Sequence, residues 1–112
     1  MTLIYAYKGL GITRDIVIYD VNENIITPGA ADKVRAIISR EGETAKLTVT
    51  SDSATSNGSS ITKGATNRLR LDDADLDFDP GIYTLRVEFY DNSDLGGEWK
   101  MVEKQSFCLE GI

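Results

Sequence analysis

Five carboxylates crowd into the eight residues Asp72-Asp73-Ala74-Asp75-Leu76-Asp77-Phe78-Asp79. Calcium takes several oxygen ligands at about 2.3–2.6 Å, so such a run raises a calcium site first. An EF-hand loop starting at Asp73 needs glycine at its sixth position and glutamate at its twelfth. Phe78 and Thr84 stand there instead, which excludes that motif and leaves only an irregular oxygen site. The residue types favour a different role. Leu76 and Phe78 are expected to plug a core from an acidic turn whose Asp side chains cap backbone amides.

Other chemistry is thinner still. The 112 residues contain no histidine and one cysteine, Cys108. Without histidine there is no Ser-His or Cys-His arrangement, and the commonest general base and metal ligand is gone. One cysteine cannot close an intrachain disulfide or build a cysteine zinc site. The chain carries no nucleophile elbow, phosphate-binding glycine loop or zincin motif. Paired carboxylates hydrolyse glycosides only inside a cleft, for which short loops leave little room. A non-enzymatic protein without a cofactor is therefore expected. Cys108 reads as a small core filler. Trp99 reads as a core or interface anchor in preference to a sugar-stacking platform.

The charge balance narrows the partners. Twelve basic against 18 acidic residues give a net charge of −6. Phosphate backbones and anionic membrane surfaces reward clustered Lys and Arg, so neither nucleic acid nor a membrane is expected. The overall balance favours solubility or a basic partner. The start Met-Thr-Leu-Ile-Tyr-Ala-Tyr-Lys lacks the basic and long apolar regions of a secretory leader, so the mature protein is expected to begin near Met1.

Strands must position whatever function there is. Hydrophobic content is 41%, with nine aromatic residues, enough for one core in one domain spanning residues 1–112. The clearest strand follows Pro80-Gly81, where Tyr83, Leu85, Val87 and Phe89 alternate with Thr84, Arg86, Glu88 and Tyr90. Residues 2–7 form a short strand, with Leu3, Tyr5 and Tyr7 on one face and Ile4 and Ala6 on the other. Arg14–Tyr19 reads as a strand apolar on both faces, which suits an interior strand or one covered by another chain. Lys33–Arg40, Ala45–Thr50 and Arg68–Leu71 follow as strands. Residues 51–60, almost without apolar side chains, read as a solvated loop turning at Asn57-Gly58. In the last strand, Glu98–Leu109, one parity carries Trp99, Met101, Phe107 and Leu109 but is interrupted by Glu103 and Gln105, so a bulge or a switch of sheets is expected. Seven or eight strands with turns every eight to twelve residues predict an all-β sandwich.

With these residues set out, the chain resembles the small immunoglobulin-like domains of tailed-phage virion proteins, such as head decoration proteins and the amino-terminal domain of baseplate upper proteins. Three features carry the resemblance: Arg14-Asp15-Ile16-Val17-Ile18-Tyr19-Asp20; the Pro28-Gly29-Ala30 loop with Val34-Arg35-Ala36; and the run from Asp73 through Pro80-Gly81-Ile82-Tyr83 to Tyr90. The resemblance covers residues 12–109. The resemblance implies an immunoglobulin-like β-sandwich of 7–8 strands and a structural role in a virion, most simply as a capsid decoration protein. The implied partners are other virion proteins, the major capsid protein above all, with homo-oligomers also open. A baseplate or tail adaptor and a carbohydrate-binding module are the alternatives. It carries over no catalytic residue.

The attachment site is expected at the first strand. An edge strand apolar on both faces invites pairing with another chain, since soluble monomers usually blunt such edges with charge. Leu3, Ile4, Tyr5 and Tyr7 are therefore the candidate partner-binding residues, by strand addition or by seating the tyrosines in an apolar pocket. The competing expectation is that this strand closes its own sheet.

Overall fold

Eight strands bound a single hydrophobic cluster in the computed structural model, which describes residues 3–91 and 98–111. They are β1 (Leu3–Tyr7), β2 (Ile12–Ile16), β3 (Lys33–Ser39), β4 (Leu47–Thr50), β5 (Ser60–Thr62), β6 (Asn67–Leu71), β7 (Gly81–Tyr90) and β8 (Trp99–Glu110). A five-stranded sheet runs β1-β8-β7-β3-β4 and a three-stranded sheet runs β2-β6-β5. The described residues contain no helix. The architecture is all-β, two sheets in a sandwich-like arrangement.

Period-two alternation decides which side chains meet in the middle. On β7, Tyr83, Leu85, Val87 and Phe89 are buried, while their neighbours face away from the core. Cross-strand register turns this column into rows: Ile4, Phe107 and Tyr83 lie abreast, as do Val49, Ala36 and Val87. The small sheet answers with Ile16, Ile61, Leu69 and Leu71. Leu76 is fully buried and Phe78 packs against the cluster, so the acidic turn does plug the core.

The last strand contains the expected irregularity. Val87 pairs with Glu103 but Glu88 pairs with Met101, leaving Val102 as the extra residue of a bulge. The bulge reverses parity. Phe107 and Leu109 point inward, whereas Trp99 stands beside Tyr90 on the outer face, and Met101 stands there beside Glu88. Gln105, on the inner parity, donates to Glu103 at 2.6 Å and so brings its amide into the core with a partner.

Three local expectations need correction. The second strand is Ile12–Ile16 rather than Arg14–Tyr19, and it lies at an edge of the small sheet, not in an interior. Beyond it Ile18 is still buried, but Tyr19 turns to solvent in a small ladder opposite Ile25. The 51–60 segment is not wholly solvated. Ser59 is fully buried and Ser60 opens β5, although Gly58, at φ +96°, does make the expected turn. Cys108 is half-buried on the outer face of β8, between Tyr5 and Ile82, and fills no core position.

Candidate functional site

Four of the five carboxylates of the acidic turn, those of Asp72, Asp73, Asp75 and Asp77, engage groups of the protein itself. Asp75 accepts hydrogen bonds from Thr55 Oγ1, Ser59 Oγ and, at 2.8 Å, Asn57 Nδ2, tying the 55–59 turn to the 72–76 turn. Burial pushes the Asp75 pKa up, but the bonds from Ser59, Thr55 and Asn57 outweigh it, and the net shift is downward. Asp72 Oδ1 accepts from the Ala74 amide at 3.1 Å; that bond and one involving Asp73 lower the Asp72 pKa. Asp77 lies 3.8 Å from Lys8. Among the described residues no group of three or more carboxylates, histidines or cysteines is placed to hold a metal ion. The cluster acts here as a loop staple.

The first strand divides its four candidates. It lies at the edge of the large sheet, parallel to β8, with Leu3 opposite Ser106 and Tyr7 opposite Glu110. Tyr5 and Tyr7 stand out from the sheet, 54% and 47% exposed. Ile4 is the correction. Only 3% exposed and packed in the row with Phe107 and Tyr83, it belongs to the protein's own core and has no surface to offer a partner. The strand thus both closes its own sheet and presents two tyrosines.

Those tyrosines belong to a larger surface. Tyr5, Cys108 and Ile82 lie abreast on β1, β8 and β7, and Ile82 is 69% exposed. Further along the same outer face, Arg35 Nε and Nη2 both reach Glu88 Oε1 at 2.6 Å. The Arg35 guanidinium also lies 4.0 Å from the Trp99 ring centroid, and Tyr90 leans on Trp99 at 5.4 Å. One face of the indole is therefore covered. Gly96 and Gly97, which precede Trp99 in the sequence, lie outside the described residues.

Between these two patches a pocket of about 260 Å³ opens, lined by Ser39, Arg40, Glu41, Gly42, Glu43, Thr84, Arg86 and Lys104. Arg40 is held in place at its mouth. Its Nη2 donates to the Pro80 carbonyl at 3.2 Å, and its guanidinium lies 4.6 Å from the Tyr83 ring. Gly81 makes this possible, because a Cβ there would stand 2.3 Å from Arg40 Nη2. Sequence reasoning missed this pocket. Arg86 and Lys104 become neighbours only through β7–β8 register, and no local signal in either strand announces it.

No family model and no curated protein matches the sequence. No helix among the described residues is long and apolar enough to cross a membrane.

Proposed function

We propose that the sandwich is immunoglobulin-like and that the chain is a non-enzymatic structural protein of a phage virion, a decoration protein seated on the major capsid protein. The observation that carries the fold part is strand order. With β2 to β8 taken in sequence as B, C, C′, D, E, F and G, the small sheet reads B-E-D and the large one contains G-F-C-C′. Tyr83 near the start of β7 bonds the Asp79 carbonyl four residues upstream, the pattern of a tyrosine corner at the E–F turn.

The virion part rests on the resemblance of residues 12–109 together with the exposed Tyr5, Tyr7 and Ile82, which suit a protein completed by a neighbour. A carbohydrate-binding module would need a free aromatic platform, and Trp99 already holds Arg35 against one face. The proposal is tested by mass spectrometry of particles purified from the source of this gene, followed by immunogold labelling with antibody to the chain. The expected result is stoichiometric recovery and label over the capsid. Particles without the chain would reject the virion role, and label confined to the tail tip would move it to the baseplate.

A further inference from the structure

Arg86 and Lys104 face each other in register on β7 and β8, two like charges directly opposite on one sheet face. Such a pair destabilises a sheet unless something relieves it. Neither residue forms an ion pair among the described residues. The Arg86 Nε is enclosed and has no hydrogen-bond acceptor, the one buried side-chain polar atom among them left so. A buried donor without an acceptor is costly, and native proteins rarely keep one.

Arg35, on β3 of the same face, shows how such a group is completed in this protein. There Nε and Nη2 converge on a single Glu88 oxygen. Among the described residues Arg86 has no carboxylate to meet it. The surrounding pocket adds Lys104, Arg40 and the hydroxyl-bearing Ser39 and Thr84. It also carries Glu41 and Glu43, of which Glu43 already pairs with Lys46 at 3.6 Å. With Arg40 committed to the Pro80 carbonyl and the Tyr83 ring, Arg86 and Lys104 stand beside one carboxylate without an ion pair among the described residues, Glu41, a local excess of positive charge in a chain whose net charge is −6.

We infer that this pocket receives a carboxylate from an acidic segment of a protein partner, which lies between the Arg86 guanidinium and the Lys104 ammonium. Charge-assisted bonds of this kind are short and directional, and guanidinium groups favour carboxylate partners. The site stands on the same sheet face as Tyr5 and Ile82, so an acidic side chain flanked by apolar ones fits the surface best. The inference goes beyond the virion reading and holds for the isolated protein whatever its partner.

Arginine Nε–Hε resonances of the ¹⁵N-labelled protein provide the test. They are followed against a capped tri-glutamate peptide, against inorganic phosphate, and against chloride at matched ionic strength. The Arg86 resonance is expected to shift saturably with the peptide, while those of the exposed Arg14 and Arg68 follow ionic strength alone. R86M and K104M should each weaken the peptide by about tenfold, the loss of one charge-assisted contact. K104M should also melt at a higher temperature than the parent in peptide-free, low-salt buffer, because the like-charge pair is gone. Lys104 is exposed, so this variant decides the matter if R86M folds poorly. Equal shifts with chloride, or unchanged peptide affinity in K104M, would overturn the site. Saturation by phosphate with indifference to the peptide would overturn its assignment to a protein carboxylate.

Discussion

The Tyr83 hydroxyl donates to the Asp79 carbonyl, locking the turn before β7 to the strand that follows it. The ring of Tyr83 is buried, with Phe78 edge-on at 4.9 Å and Arg40 over its face. The hydroxyl therefore fixes where the acidic turn leaves the core. Tyr83→Phe keeps the ring and removes one bond. It should cost about 0.5–1.5 kcal/mol in urea denaturation with an unchanged m-value. A neutral result would mean that packing alone sets this corner.

Asp75 makes stability depend on pH in a definite direction. Burial pulls its carboxyl upward, but the bonds from Ser59, Thr55 and Asn57 hold it below the ordinary Asp value in the folded chain. A depressed carboxylate contributes stability that is complete above the unfolded pKa and is lost as pH falls through the folded one. Denaturation midpoints should therefore be flat from neutral pH down to about 5 and fall below about 4, the range set by an ordinary Asp. Asp75→Asn should flatten part of that fall and lower stability at pH 7. An acid limb identical in the variant and the parent would remove Asp75 as its source.

Much of the framework was legible because burial in a sheet writes itself as period two. Tyr83 to Phe89 and Val34 to Ile38 could be assigned to the core from alternation, and Glu103 with Gln105 signalled the bulge by breaking it. β5 was hidden because its three residues offer one buried side chain, Ile61, behind a run of serines. Ile4 was misjudged for the opposite reason. A short strand with apolar residues on both parities does not say which parity the core takes, and only pairing with β8 settles it. The basic pocket was invisible for a third reason, since register between distant strands is a tertiary fact.

Phe89 offers the direct test of the core register. It sits opposite Val34 and is 6% exposed, at the end of the sheet where the bulge begins to turn β8 away. Phe89→Ala should cost about 3–5 kcal/mol, the range for emptying a buried aromatic site. Exchange of Arg35 or Glu88 neighbours on the outer face should cost far less, except where it strips the Arg35–Glu88 pair. A loss below about 1 kcal/mol for Phe89→Ala would contradict its burial.

Tyr5 and Tyr7 separate attachment from folding, which deleting the whole strand cannot do. Removing residues 1–7 also removes Ile4 and Ala6 from the core, so loss of binding would say nothing about docking. The double substitution Tyr5→Ser and Tyr7→Ser leaves the inner row intact. It should change stability by no more than about 1 kcal/mol, since exposed positions away from caps and charges seldom matter more than about 0.5 kcal/mol each. Ile4→Ala, by contrast, should cost about 2–5 kcal/mol. If the proposed virion role holds, co-sedimentation with particles stripped of the chain supplies the second readout. Retained folding with lost sedimentation is expected for the tyrosine variant if β1 is the attachment edge. Full sedimentation of a folded double variant would shift the contact elsewhere on the sheet face, towards Ile82 and the Arg86–Lys104 pocket.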